Sequence, residues 1–154
     1  MSLQEQDRAR WDAERIGEGV AVLDCGLRLG RPGAYLVQAA IAALHAQAPS
    51  WEATDWPQIA GLYAELARHD PSPVVAINRA VAVSFADAPE AGLAILDELG
   101  SDTRLERYQP LHAARADLLR RTGDAAGADA AYAKAIGLSA NAAERAALER
   151  LRRR

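Results

Sequence analysis

The sequence predicts an all-α fold, and three observations predict it. Apolar residues make up 50% of the 154 positions while aromatics make up only 5%. Much of that apolar content is alanine, the best helix former and a poor filler of wide sheets. Helix start and stop residues recur along the whole chain, and the alternation of apolar and polar residues that marks strands is missing.

Taken in order, the elements read as one domain over residues 1–154. Met1-Ser2-Leu3 reads as a cloning remnant, since the amphipathic pattern begins almost at once. An N-terminal helix over 4–30 is periodic from about Asp7 to Leu29, with Trp11, Ile16, Val20, Leu23 and Leu27 on one side. Gly30 and Pro32 end it, the glycine by a left-handed turn and the proline by blocking continuation. Residues 33–69 read as an irregular helix pair: one helix from Gly33 to Ala48 stopped by Pro49, and a second opened by Asp55-Trp56-Pro57-Gln58. That tetrapeptide pairs a capping aspartate with a glutamine three residues on, ahead of Ile59, Leu62, Tyr63 and Leu66. Trp51 and Trp56 flank the loop between them. Trp56 reads as a staple holding the loop to the core, and Trp51 as an exposed anchor for a partner.

Ser72-Pro73 opens a fourth helix, Asp87-Ala88-Pro89 breaks it and starts a fifth, and Gly100 closes the pair over 72–100. A polar connector leads to the pair over 109–137, whose helices meet at Gly123-Asp124. Asn141-Ala142-Ala143-Glu144 then opens a capping helix within 139–154.

These pairs repeat. Arg79-Ala80, Gly92, Leu96 and Leu99 recur as Arg115-Ala116, Ala128, Tyr132 and Ala135, each 36 positions later, close to the roughly 34-residue period of tetratricopeptide helix pairs. Small residues let paired helices approach while Leu119 and Tyr132 fill the space between them. The expected architecture is therefore a tetratricopeptide-like α-solenoid of about eight antiparallel helices, with a closed alanine-rich bundle as the alternative.

Composition excludes several classes. A formal charge of -3 does not suit a general nucleic-acid binder, and the single cysteine, Cys25, excludes a disulfide framework and fits a reducing compartment. In its apolar stretch Cys25 reads as core. With no apolar run of about 18 residues and no leader pattern, neither a membrane span nor a signal peptide is expected, and the expected location is the cytoplasm. His45, His69 and His112 are scattered, so no metal is expected. Glycines stand singly at helix ends rather than in a phosphate loop, and no nucleophile has a base in view. Neither a cofactor nor an enzymatic activity is expected.

Two features exceed what a simple scaffold demands. Around Trp11, the run Gln6 to Asp12 places Asp7, Arg8 and Asp12 beside an aromatic ring near a helix start. It reads either as a lid that packs down on the helices or as a docking surface. The second feature is a polar set on the first helices of the pairs: Gln38 and His45, Asn78 and Arg79, His112 and Arg115 with Asp117. In a tetratricopeptide stack these helices line the concave face, so the set reads as a hydrogen-bonding, cationic groove or, equally, as stitching between helices. The terminal Leu151-Arg152-Arg153-Arg154 complements a helix C-terminus.

Five segments in order resemble one family: Glu5 to Asp12; Gly33-Ala34-Tyr35 with Gln38 to Ala46; Thr54 to Ile59; Ser72 to Val75 with Asn78 to Ala82; and His112 to Arg121. The family is that of bacterial extracytoplasmic-function RNA polymerase sigma factors with a long helical-repeat C-terminal extension, and the resemblance runs from about Leu3 to Leu151. Ala9, where a serine is common, and the bulky Val83-Ser84-Phe85 depart from the family pattern. The resemblance implies that this chain corresponds to the extension alone, without the promoter-opening and helix-turn-helix domains, so no direct DNA binding is expected of it. It implies regulation of transcription initiation, with the sigma domains in cis or core RNA polymerase as partners. The candidate interaction residues are then Asp7, Arg8, Trp11, Asp12, Gln38, His45, Asn78, Arg79, His112 and Arg115. Two other readings stand beside it: a free-standing adaptor that binds a peptide, and a small-molecule sensor with a pocket around His45 and His112.

Overall fold

The computed structural model describes residues 3–30 and 33–153. The reading of Met1-Ser2 as a cloning remnant, the Pro32 stop and the charge of Arg154 therefore lie outside the described residues. Among the described residues all regular structure is helical, with eight α-helices: α1 (Ala13–Arg28), α2 (Ala34–Gln47), α3 (Trp56–His69), α4 (Pro73–Ala86), α5 (Pro89–Gly100), α6 (Gln109–Thr122), α7 (Ala125–Leu138) and α8 (Ala142–Arg152). They form two compact units, Met1–Pro71 and Ser72–Arg154.

In the first unit the long helix expected over 4–30 is divided. Leu3–Glu5 and Arg8–Arg10 are single 3-10 turns, and α1 begins only at Ala13. The division has a local cause. Asp7 and Asp12 each take an extended N-cap conformation, Asp7 accepting from the Ala9 N–H at 3.1 Å and Asp12 from the Arg15 N–H at 3.1 Å. A short carboxylate that satisfies the next free amides starts a new turn rather than continuing the old one. The core of the unit is Leu23 from α1, Val37 and Ile41 from α2, and Trp56, Ile59 and Leu66 from α3. Asp55 caps α3 by accepting from the Gln58 N–H at 3.0 Å, as its spacing predicts.

Cys25 is exposed, not core. It lies two positions beyond the buried Leu23, about 200° around the helix at 100° per residue, so it points away from the stripe that meets α2.

In the second unit the helix ends fall close to where local chemistry puts them. Ser72 and Asp124 accept from the Val75 and Gly127 amides, Asn141 accepts from Ala143, and Gly123 closes α6 in the left-handed region at φ 86°. Prolines occupy the first turns of α4, α5 and α6, where a missing N–H costs nothing. Helix α4 packs on α5, α5 on α6, α6 on α7, and α7 on α8.

The repeat positions are the contact points. Ala80 and Ala116 are both fully buried, as are Leu96 and Ala135, while Tyr132 is 2% exposed. Gly92 is where α4 and α5 touch. A Cβ there would stand 2.6 Å from the Ala80 carbonyl oxygen and 2.8 Å from both Ser84 Cβ and Leu118 Cδ1. Around these contacts Ile77, Leu96, Leu105, Leu111 and Leu118 form one cluster, and Ala116, Tyr132, Ala135 and Leu148 form another. The last helix is tied down by Arg152, whose Nε and Nη2 donate to the two oxygens of Asp129 on α7 at 2.6 and 2.8 Å.

Candidate interaction surfaces

In the first unit, the run around Trp11 is a strap. Arg8 Nη1 donates to the carbonyls of His45 and Ala48 at 3.0 and 2.7 Å, and its Nη2 reaches Thr54 Oγ1 at 3.4 Å. These carbonyls lie at the end of α2, where backbone acceptors have no partner within the helix, so a guanidinium there satisfies them and meets the negative end of the helix dipole. The same guanidinium stands 5.2 Å from the centre of the Trp11 ring. Arg8, Trp11 and Ile16 face Ala46 to Pro49 across an open cleft of about 360 Å³. Asp7 and Asp12 are exposed and serve as caps, and Gln38 is exposed on α2.

His45 belongs to an aromatic cluster rather than to an open groove. Its ring stacks on Trp51 at 6.5 Å and meets Trp56 edge-on at 5.3 Å, and the two tryptophans are 4.6 Å apart. Trp56 is buried and is the staple its position predicts. Trp51 is half-buried against it, so it is not a freely exposed anchor.

Burial lowers the His45 pKa below 6.5, and the charge of Arg8 lowers it further. Because the unfolded chain then binds the proton more tightly, the stability contributed by neutral His45 is present above the unfolded pKa and declines as pH falls through about 6.5. All three tryptophans lie in this unit. The tryptophan-monitored unfolding midpoint is therefore expected to be lower at pH 5 than at pH 7.5, and His45→Gln is expected to shrink that difference. An equal difference in both proteins would refute the assignment.

In the second unit His112 and Arg115 line one groove. His112 Nε2–H donates to the Glu106 carbonyl at 2.8 Å, and Arg115 pairs with Asp97 of α5. With Leu96, Leu111 and Leu119 below and Lys134 on α7 at the side, they bound a space of about 450 Å³. Asn78 is exposed on α4, and the half-buried Arg79 has its Nε shielded from solvent. Of the ten candidate residues, six thus fall in the first unit and four in the second, and His112 and Arg115 share a groove.

One constellation escapes the sequence reading. Arg121 of α6 donates to Ser84 Oγ and to the Ser84 carbonyl, both at 2.7 Å, and its guanidinium lies 4.0 Å from the centre of the Phe85 ring. Its only sequence signal is the bulk of Val83-Ser84-Phe85 where small residues are expected, and a hydroxyl, a carbonyl and a ring together suit one guanidinium. Among the described residues no group of three or more His, Cys, Asp or Glu side chains is arranged to hold a metal ion, and no helix is long and apolar enough to cross a membrane.

No family model matches the sequence, and no solved structure matches it. The chain is 49% identical over 144 residues to a protein of Rhizobium meliloti (strain 1021) described as "Uncharacterized protein R00370". The match covers 94% of this chain and 34% of the relative, so the chain spans about a third of the relative's length.

Proposed function

We propose that this chain is a regulatory protein-interaction domain of an extracytoplasmic-function sigma factor, a tetratricopeptide-like α-solenoid that modulates the sigma domains or their contact with RNA polymerase. The observation that carries the reading is the ordered resemblance of five segments spread from Glu5 to Arg121. Two further findings support it. The relative has about two-thirds of its length beyond the matched region, which leaves room for the domains this reading requires. In the second unit, α4–α5 and α6–α7 pack as pairs whose contact residues recur at a 36-residue spacing, the behaviour of a tetratricopeptide pair.

The reading places function on protein contacts rather than chemistry. Lys134 stands beside the groove and supplies a cationic donor suited to acidic or carbonyl-rich partner segments, and Arg115 lines the same groove while paired with Asp97. In a full-length factor, replacing Arg79 and Arg115 together by alanine is expected to change promoter-specific transcription at least threefold, with the helical circular-dichroism signal retained. Unchanged transcription from a folded variant would remove these two arginines from the function.

A further inference from the structure

The groove beside His112 and Arg115 in the second unit has two facing walls. Along α6, His112, Arg115 and Leu119 follow at steps of three and four residues, and along α7, Gly127, Ala131 and Lys134 follow at steps of four and three. Residues so spaced share one face of a helix. At the base the lining is apolar, with Leu96 and Leu111 buried and Leu119 half-buried. At the rim it is charged, and one cation has no partner. Asp97 is engaged by Arg115, and Asp124 caps α7, accepting from the Gly127 N–H at 2.9 Å. Lys134 is exposed and, among the described residues, has no hydrogen bond or ion pair from its side chain. The Arg115–Asp97 pair is also open to solvent, its side chains 37% and 57% exposed, and a pair of that kind is weak enough to admit a second carboxylate.

We propose that this groove seats an acidic, leucine-bearing segment of a protein partner, its leucine over Leu119 and Ala131 and its carboxylate on Lys134 and Arg115. The proposal rests on the regulatory reading above and names the chemistry of the partner segment within it. Charge selects an acidic occupant. Both carboxylates at the rim already have donors, whereas Lys134 has no acceptor, so an incoming anion gains a partner and an incoming cation finds none free. The apolar base selects a peptide over a free anion. An anion held at the rim would leave Leu119 and Ala131 in water, while a leucine beside the carboxylate covers them, and grooves between helices take partner segments by such apolar anchors. The space, about 450 Å³, is also open rather than enclosed, which suits a segment lying across it.

Lys134 is the only lysine of the chain, so reductive methylation with carbon-13 formaldehyde, which keeps its charge, gives one side-chain signal beside that of the N-terminal amine. The probe is the peptide acetyl-Leu-Glu-Glu-Leu-Leu-Glu-Glu-Leu-amide, and its control carries glutamine at every glutamate. The expected result is a saturable shift of the Lys134 signal with the glutamate peptide and weaker binding of the glutamine peptide by about fivefold, the upper end for one exposed ion pair. By calorimetry, Lys134→Glu should weaken the glutamate peptide by at least as much, Lys134→Arg should retain it, and Ala130→Trp, which puts a ring into the groove, should abolish it. Ala130 and Lys134 are both exposed, so these changes should leave the helical circular-dichroism signal intact. An unmoved Lys134 signal at millimolar peptide overturns the proposal. Equal binding of the two peptides does so as well, and so does an equal shift with sodium acetate, which would reduce the site to a loose anion contact. Deleting this region from a full-length factor tests the regulatory reading separately. Altered transcription without peptide binding would sink the groove and leave that reading standing; peptide binding with unaltered transcription would sink the reading and leave the groove.

Discussion

Tyr132→Ala is expected to destabilise the second unit by about 3–5 kcal/mol, the usual cost of removing a fully packed aromatic side chain. Tyr132 is 2% exposed and fills the space between α6, α7 and α8 against Ala116, Ala135 and Leu148. Two of those neighbours are alanines, which have no rotamers with which to close a cavity, so little of the lost contact can be recovered by relaxation. Because a domain is stable by only about 5–15 kcal/mol in total, much of the unit's margin would go. Leucine stands at the matching position of the preceding pair, as the buried Leu96. Tyr132→Leu should therefore cost distinctly less than the alanine variant, nearer the roughly 1.5 kcal/mol of a tolerated core exchange. Urea unfolding followed by far-ultraviolet circular dichroism measures both. An alanine variant within about 1 kcal/mol of the parent would mean that the small-large packing of the helix pair is not what holds this unit together.

Arg8→Ala is expected to destabilise the first unit by about 2–3 kcal/mol, the range for losing hydrogen bonds from a charged donor to part-buried carbonyls. The side chain holds the His45 and Ala48 carbonyls and the Thr54 hydroxyl at once, and so joins the N-terminal strap to the end of α2 and the loop beyond it. Arg8→Lys should recover less than half of the loss, because a single ammonium cannot reproduce the planar fork that meets two carbonyls and a hydroxyl together. With every tryptophan in this unit, fluorescence reads its unfolding without contribution from the other. If Arg8→Ala leaves that transition in place, the strap is not structural and the residue is free to serve a partner. If it lowers the transition as expected, loss of regulation in the same variant would have to be separated from loss of fold.

Helix boundaries were legible wherever they depend on residues a few positions apart. Asp55 with Gln58, Ser72 with Val75, Asp124 with Gly127 and the left-handed Gly123 act within one turn, and their structural roles are those their spacing predicts. The same short-range logic explains the one boundary that differs. Asp7 and Asp12 are both good caps, and a reading that follows only the apolar periodicity from Trp11 to Leu27 passes over the two interruptions they impose. Cys25 was misplaced for a related reason. Helix α1 with its C-cap carries two apolar stripes, Ile16-Val20-Leu23-Leu27 and Val22-Leu29, and periodicity alone does not say which one meets a neighbour.

The candidate residues divide along the same line. That His45, Arg79, His112 and Arg115 stand on helices follows from local pattern, as does the 36-residue spacing that relates Arg79 to Arg115. That His45 turns into a tryptophan cluster, that Arg115 meets Asp97 and that Arg121 finds Ser84 and Phe85 depends on which helices become neighbours. Residues a few positions apart interact through geometry that the chain carries with it, so an all-helical protein with these caps could be written down from its letters. Partners 18 or 37 positions apart, as in Arg115–Asp97 and Arg121–Ser84, meet only after helices have packed. Helix packing is set by side-chain volume summed over many contacts, Gly92 against Ala80 and Tyr132 against Ala116 among them, and that sum exists only in the folded molecule.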